Sequence, residues 1–221
     1  MSAIGSPIGK IGITDSFMPH LTKLRHIIQL AHSLGTRYIR AFSFYRPQEN
    51  SNETGIWREE VMIRMREMIA CAKANDVVLL HENEKGIYGD VASRCLDLFR
   101  ELSCENFKCT FDFANFIQCG QDTMEAYEML RPYISYIHIK DACLSDGRVV
   151  PAGEGDGQVQ NILKRLDEDG YQGFLSLEPH LNGFEGLKNL SRVNRDNGVY
   201  MEDGECAWKL AHKALMQIIG R

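Results

Sequence analysis

Four apolar segments of the sequence each end in a side chain that can bind a metal ion or carry a proton. Glu82 ends the segment VVLLHE, Asp112 ends TFD, His138 ends YIH and Glu178 ends FLSLE. A carboxylate at the end of a buried strand is costly unless a cation or a donor compensates its charge. In α/β folds the carboxyl ends of parallel strands carry the chemistry, so these four side chains are expected at one rim.

Two glutamates, one aspartate and one histidine have the composition of a divalent-metal site. Oxygen ligands with a single imidazole suit Mn²⁺, Mg²⁺, Co²⁺ or Zn²⁺ and argue against copper or an iron–sulfur cluster. Each residue alone has a structural explanation, because an acid after a strand commonly caps a helix and a lone histidine is commonly a packed core residue. Four such residues on four parallel strands favour one bound divalent ion.

Side-chain alternation along a strand identifies residues that would face a molecule bound at the metal. Lys140 lies two residues after His138, and His180 lies two residues after Glu178. Lys140 and His180 are therefore candidates for contacting the substrate. The histidines of the helical segments (20, 26, 32 and 212) are expected to be structural.

Three acidic residues lie in loops just past strand ends, where capping is the expected role. They are Glu84, Asp141 and Glu154. Glu84 has a second candidate role, because it alternates with Glu82 and would face either the substrate or only the loop.

The rest of the chain alternates between helical and strand patterns. Helical spacing of apolar residues predicts helices over 19–34, 57–75, 91–102 with Asp90 as N-cap, 122–130, 159–169 and a last helix after Gly204. Short apolar segments predict strands over 37–45, 77–86, 108–113, 134–139 and 173–177, after one in the first 18 residues. A long irregular stretch is expected before Gly204.

This alternation predicts an α/β fold with a parallel sheet. Neither GxGxxG after a first strand nor GxxxxGK[ST] occurs, so a nucleotide-binding doubly wound sheet has no support. Polar residues at successive strand ends favour a (β/α)₈ barrel of the TIM type. About six βα units can be counted, so the barrel is expected to be incomplete by about two units.

Bulk composition indicates an ordinary globular chain. Its 221 residues suit a single domain over 1–221, and the formal net charge of −5 does not favour nucleic acid or an anionic membrane surface. An apolar run near the ~20 residues that span a bilayer is lacking, as is a signal-peptide pattern in MSAIGSPIGK. The seven cysteines form no CxxC pair, which indicates reduced thiols and a cytoplasmic location.

Combined motifs in the chain resemble the sugar phosphate isomerase/epimerase family of xylose isomerase-like barrels. They are LLHENEKGIYGD, FDFANF, YIHIKDA with PAGEGDG, and FLSLEPH, with SPIGK and IRAFSFY also matching. The resemblance implies a TIM barrel in which SPIGK corresponds to the end of the third strand, so the first two βα units are expected to be absent. It also implies that Glu82, Asp112, His138 and Glu178 hold one divalent ion.

The resemblance implies an isomerase or epimerase of a ketose or related sugar. The metal would chelate the carbonyl and a neighbouring hydroxyl, which acidifies the C–H between them. Glu82 and Glu178 would act as base and acid on opposite sides of the substrate, through an enediolate. Lys140 or His180 would stabilise the developing oxyanion. Asn115 stands where many sugar epimerases of the family have histidine, and it could hydrogen-bond a sugar hydroxyl.

Other functions stay open on the same scaffold. A metal-dependent dehydratase of inositol or keto-sugar catabolism would use the same groups, and an inactive truncated barrel could bind a sugar without turnover. An apurinic endonuclease is disfavoured, because Asp146, Gly147 and Arg148 replace its Asp-Arg-His and the net charge is negative.

A barrel that lacks two strands would leave two exposed sheet edges. Such edges must be covered or paired, which would favour a homo-oligomer.

Overall fold

The computed structural model describes residues 1–47, 54–181 and 203–220. Its strands are β1 (Ile4–Ile8), β2 (Tyr38–Ala41), β3 (Val78–Glu82), β4 (Phe107–Asp112), β5 (Ile134–Ile139), β6 (Asp141–Ala142), β7 (Val149–Val150) and β8 (Phe174–Leu177). Its α-helices are α1 (Met18–Ser33), α2 (Thr54–Ala74), α3 (Ala92–Leu102), α4 (Phe113–Ile117), α5 (Thr123–Leu130), α6 (Val159–Glu168) and α7 (Gly204–Ile218). The predicted alternation of strand and helix is confirmed.

Six strands form one sheet in the order β1-β2-β3-β4-β5-β8, and β6 and β7 form a separate antiparallel pair. The pairs β1/β2, β2/β3, β3/β4 and β5/β8 are parallel. Parallel pairing brings the carboxyl ends of neighbouring strands to the same edge of the sheet. Within the described residues, no helix is long and apolar enough to cross a membrane.

One compact unit of the chain comprises Met1–Thr110 with Met129–Ser135. All five residues of β3 are buried, as expected for a parallel strand covered on both faces. The core of this unit includes the apolar stripe of α1 and the methionines of α2. These methionines, at positions 62, 65 and 68, are fully buried, which confirms that they are packing residues.

The other compact unit comprises Phe111–Glu128 and Tyr136–Arg221. Phe111 contacts the rings of Phe113, Phe116 and Tyr127, so the end of β4 is fixed by an aromatic cluster. The α7 helix buries Ala207 and Ala211, which belong to one apolar cluster with Val149 and Leu181. These contacts fix the strand ends and loops that follow β4, β5 and β8.

Three local predictions differ from the structure. The strand predicted over 77–86 ends at Glu82. The strand predicted over 37–45 ends at Ala41, because Phe44 adopts a left-handed conformation (φ 67°) that a continuous strand cannot accommodate. The predicted N-cap Asp90 is wrong, since Val91 is the N-cap of α3. The Asp90 carboxylate instead accepts hydrogen bonds from Arg46 and Arg94. The irregular stretch predicted before Gly204 lies mostly outside the described residues.

Candidate functional site

Three of the four predicted metal ligands lie at strand ends in the second unit. Asp112 is the last residue of β4, His138 lies near the end of β5, and Glu178 directly follows β8. Asp112 is fully buried, His138 is buried, and the Glu178 side chain keeps 21% of its surface exposed. The group is therefore sheltered from solvent but remains accessible from the Glu178 side.

Donor atoms of these three residues converge. His138 Nδ1 lies 3.9 Å from Asp112 Oδ2 and 3.7 Å from Glu178 Oε2. Each residue offers one ligand atom that lies within 4.8 Å of the others. Two ligands of one divalent ion stand about 3–4.5 Å apart when each metal–ligand bond is about 2.0–2.3 Å. The spacing and the two-carboxylate, one-imidazole chemistry therefore fit a divalent ion.

The Asp112 carboxylate serves two purposes with its two oxygens. Oδ1 accepts the backbone N–H of Asn115 at 2.8 Å and caps α4, which is the structural role considered from the sequence. Oδ2 faces His138 and Lys140. The cap fixes the carboxylate orientation, so helix capping and metal ligation are compatible at this residue.

Lys140 places a cation among the same carboxylates. Its Nζ lies 2.8 Å from Asp112 Oδ2 and 2.8 Å from Glu178 Oε2, and its side chain is 1% exposed. The ammonium stands in for part of the positive charge that two converging carboxylates require. The two carboxylates therefore share one buried positive partner.

His180 and Asn115 also lie near this group. His180 Nε2 is 3.9 Å from Glu178 Oε1, and its backbone is left-handed (φ 43°). Asn115 is 1% exposed and lies in the first turn of α4, where its backbone N–H binds Asp112. The structure thus gathers these two candidates for substrate contact around the Asp112 and Glu178 ends of the cluster.

Glu82 ends β3 in the first unit and is 1% exposed. Its Oε2 lies 3.1 Å from Arg40 Nη1, an ion pair between neighbouring strands. Arg40 was not predicted as a site residue, although a charged residue inside the apolar segment YIRAF was a usable signal. The Arg40 guanidinium compensates the negative charge of the Glu82 carboxylate, which would be costly to bury alone.

Glu84 pairs with Lys10 at 2.8 Å, and both side chains are mostly buried. The Lys10 ammonium also lies 4.3 Å from the ring centroid of Phe42, and Arg40 stacks on the same ring at 5.2 Å. Glu82 therefore pairs with a cation of the neighbouring strand β2, and Glu84 pairs with a cation of the segment that follows β1. Lys10, within SPIGK, was not predicted from the sequence as a site residue.

His81 is a structural histidine. It is fully buried, its Nε2 lies 2.9 Å from Ser43 Oγ, and it packs edge-on against Phe99 and Phe107. Burial lowers the pKa of His81 to about 4, so the ring is neutral at physiological pH.

A family model described as xylose isomerase-like TIM barrel matches residues 12–202. The chain belongs to this family. Membership confirms the predicted TIM-barrel type of fold. The described residues contribute six strands to the main sheet, compared with eight in a complete barrel.

Individual relatives of this xylose isomerase-like barrel process sugars or related compounds. A 3-dehydroshikimate dehydratase from Bacillus anthracis is 24% identical over 136 residues, which cover 62% of this chain and 48% of the dehydratase. The chain thus spans about half the length of that relative. The structure of an L-ribulose 3-epimerase aligns with a TM-score of 0.76 at 18% identity, covering 99% of this chain and 74% of the epimerase.

A xylose isomerase-like TIM barrel protein from Mycobacterium smegmatis was solved in complex with magnesium. It aligns with a TM-score of 0.57 at 19% identity, covering 89% of this chain and 68% of that chain. At these identities the structural alignments support the fold, whereas the activity must be argued from the site residues.

Proposed function

We propose that the protein is a divalent-metal-dependent isomerase or epimerase of a ketose or related sugar. The observation that carries the proposal is the convergence of Asp112, His138 and Glu178, whose two carboxylates also pair with the Lys140 ammonium. Family membership and the fold similarity to a ribulose epimerase point to the same class of substrate.

Glu82 completes the ligand set in this proposal. β3 and β4 are parallel neighbours with Glu82 opposite Thr110, and Asp112 lies two residues further along β4. The buried carboxylates of Glu82 and Asp112 thus belong to adjacent strands and to the same end of those strands. Four ligands of this composition suit Mn²⁺, Mg²⁺, Co²⁺ or Zn²⁺.

When bound, the ion would polarise the substrate carbonyl and acidify the neighbouring C–H. Glu178 is positioned to take that proton, because its carboxylate lies at the more exposed side of the cluster. Glu82 would return a proton from the other side of the substrate, and a substrate carbon reprotonated on the opposite face is epimerised. Return of the proton to the adjacent carbon gives isomerisation instead.

Lys140 and His180 would stabilise negative charge on the substrate oxygen. Both reach the Glu178 carboxylate, so a substrate next to Glu178 would meet a fixed ammonium and an imidazole. A preorganised positive group near the developing charge lowers the barrier because it needs no reorganisation during the reaction. Glu84 and Asn115 are proposed to contact substrate hydroxyls.

A metal-dependent dehydratase is the second candidate, favoured by the sequence similarity to the 3-dehydroshikimate dehydratase. The same carboxylate would remove a C–H proton. In the dehydratase, a protonated hydroxyl on the adjacent carbon would then leave as water, whereas in the epimerase or isomerase a proton returns to the substrate carbon. The two functions therefore share their first step and differ in the product.

The test is exchange of substrate C–H protons with D₂O, followed by NMR across a panel of ketoses with Mn²⁺ present. We expect at least one ketose to incorporate deuterium next to its carbonyl, and the position of the label separates epimerisation from isomerisation. Glu178→Gln should abolish exchange, whereas Glu205→Gln, which alters an exposed glutamate on α7, should not. A dehydrated product with no deuterium-labelled ketose would support the dehydratase. Neither deuterium incorporation nor dehydration of any ketose would contradict the proposal.

A further inference from the structure

The Asp141 carboxylate accepts four backbone hydrogen bonds. Oδ1 accepts the N–H groups of Ala142 at 2.8 Å and Gly157 at 2.9 Å, and Oδ2 accepts those of Gly153 at 3.0 Å and Gly155 at 3.1 Å. A carboxylate offers about four acceptor positions, so all of them are used. Asp141 is fully buried, and it is saturated by the loop that it anchors.

The loop over 151–157 contains the alternating sequence GEGDG at positions 153–157, and the glycines make this arrangement possible. A Cβ at Gly155 would lie 2.5 Å from the Ala142 carbonyl oxygen, and a Cβ at Gly157 would lie 2.5 Å from Asp141 Oδ1. Side chains at these positions would push the backbone away from the carboxylate. The loop is also held at Gly157, whose carbonyl accepts the hydroxyl of Thr123 at 2.8 Å.

Asp141 directly follows Lys140, and the two side chains act on different groups. The Lys140 ammonium contacts Asp112 and Glu178 at 2.8 Å, whereas the Asp141 carboxylate accepts backbone N–H groups of the loop and of Ala142. The anchored loop therefore fixes the backbone immediately behind the ammonium. A shift of that backbone would move the Lys140 ammonium away from the two carboxylates.

We propose that Asp141 is a positioning residue, whose carboxylate clamps the loop over 151–157 to the end of β5 and thereby holds the Lys140 ammonium on Asp112 and Glu178. The consequence for catalysis rests on the proposed function, in which Lys140 faces the substrate. Burial raises the pKa of the Asp141 carboxyl, and the four N–H donors oppose this because they stabilise the ionised form.

Asp141→Asn tests the clamp, because an amide offers one acceptor oxygen in place of two and cannot accept four N–H groups. Asp156→Asn is the matched control: it removes the same charge from the same loop, but the Asp156 carboxylate accepts one backbone N–H, from Leu144. The primary readout is the rate at which an amine-selective reagent modifies Lys140, measured by mass spectrometry on protein without metal or substrate.

We expect Asp141→Asn to speed Lys140 modification at least about tenfold and to speed amide exchange at Gly153, Gly155 and Gly157. Asp156→Asn should change Lys140 modification less than about twofold. Lys10, which is paired with Glu84, serves as the internal reference and should be modified at an unchanged rate. Faster exchange of the three glycines with unchanged Lys140 modification would overturn the proposal, since Asp141 would then serve the loop alone.

If Asp141→Asn unfolds the protein, Lys10 should be modified faster by the same factor as Lys140. A second variant is then needed. Thr123→Val releases the loop at Gly157 and leaves the Asp141 carboxylate intact. It should still speed Lys140 modification, by about threefold, without affecting Lys10. Unchanged Lys140 modification in a folded Thr123→Val variant would count against the clamp.

These measurements are independent of turnover, so they distinguish the clamp from the proposed function. If the ketose activity is found, Asp141→Asn should lower kcat about tenfold without weakening Mn²⁺ binding, because a displaced ammonium competes less for the oxygens of Asp112 and Glu178. A wild-type kcat in Asp141→Asn would contradict the clamp. Absence of ketose activity in the wild-type protein would contradict the proposed function. The rate of Lys140 modification would still show whether Asp141 holds the ammonium in place.

Discussion

The Nζ of Lys140 lies 2.8 Å from Oδ2 of Asp112, and both side chains are almost completely buried. The same Nζ lies 2.8 Å from Glu178 Oε2, so one ammonium bridges two carboxylates. A buried ion pair of this kind persists only when the charges compensate each other, because each charge alone would be costly. The charge balance of the candidate metal centre therefore depends on Lys140.

Replacing Lys140 should strengthen metal binding. Lys140→Met removes the ammonium that competes for the oxygens of Asp112 and Glu178, so the Mn²⁺ dissociation constant should fall about tenfold. Lys140→Arg retains the positive charge and should stay close to wild type in affinity. Isothermal titration with Mn²⁺ measures both variants. Unchanged or weaker binding by Lys140→Met would mean that the ammonium does not compete with the ion.

Asp112 variants separate metal ligation from helix capping. Both Asp112→Asn and Asp112→Ala remove the buried ion pair with Lys140 and should be less stable than the metal-free wild type. Asn is a good N-cap residue, so Asp112→Asn should preserve the cap on α4, whereas Asp112→Ala should lose about 1 kcal/mol more of the free energy of unfolding. Urea unfolding in the presence of EDTA measures this difference. Equal stability of the two variants would show that the cap contributes little.

Glu82 and Glu84 provide a matched pair on the same strand end. In the proposed function Glu82 is a ligand and an acid/base group, whereas Glu84 contacts the substrate. Glu82→Gln should therefore reduce kcat by about 10²-fold or more. Glu84→Gln should mainly raise KM. Steady-state kinetics with the ketose that exchanges in D₂O gives both parameters. A larger loss of kcat in Glu84→Gln than in Glu82→Gln would reverse the assignment.

The buried imidazole of His20 should make the free energy of unfolding depend on pH. Its Nε2 accepts the backbone N–H of Gly9 at 2.6 Å, and burial with the nearby charges of Lys23 and Arg64 lowers its pKa to about 4. The unfolded state, with a histidine pKa near 6.5, binds the proton more tightly, so the contribution of His20 is complete above about pH 6.5 and is lost as the pH falls towards 4. With partial solvent screening the loss should be about 2 kcal/mol.

His20→Gln offers the comparison, because a glutamine oxygen can accept the Gly9 N–H without titrating in this range. Urea unfolding at several pH values should show a flatter decline between pH 6.5 and 4 for the variant than for the wild type. The same decline in both proteins would show that other groups cause it. His81 remains in both proteins and contributes equally to each curve.

The convergence of Asp112, His138 and Glu178 could be expected from the sequence, because parallel strands end at one edge and each residue closes an apolar segment. Side-chain alternation likewise predicts Lys140 on the same side of its strand as His138. Helices α1, α2, α6 and α7 followed from apolar spacing, and the methionines of α2 proved to be packing residues. These features depend on local pattern and on the direction of the strands.

Other contacts could not be derived from the sequence, because they depend on register or on the path of a loop. Arg40 reaches Glu82 only because β2 lies beside β3, and Lys10 reaches Glu84 across 74 positions of sequence. The left-handed conformation of Phe44 ends the strand early against an aromatic, β-branched pattern. The four hydrogen bonds to Asp141 depend on how the loop over 151–157 folds back, which spacing does not reveal.

Titration of the metal-free protein with Mn²⁺ tests directly whether Asp112 and Glu178 bind a metal ion. We expect one site per chain in the wild type, with binding lost or weakened at least about 10²-fold in both Asp112→Asn and Glu178→Gln and retained in Glu205→Gln. Wild-type protein that binds no Mn²⁺, Mg²⁺, Co²⁺ or Zn²⁺, or that binds them equally well after both ligand substitutions, would contradict the assignment of these residues as a metal centre.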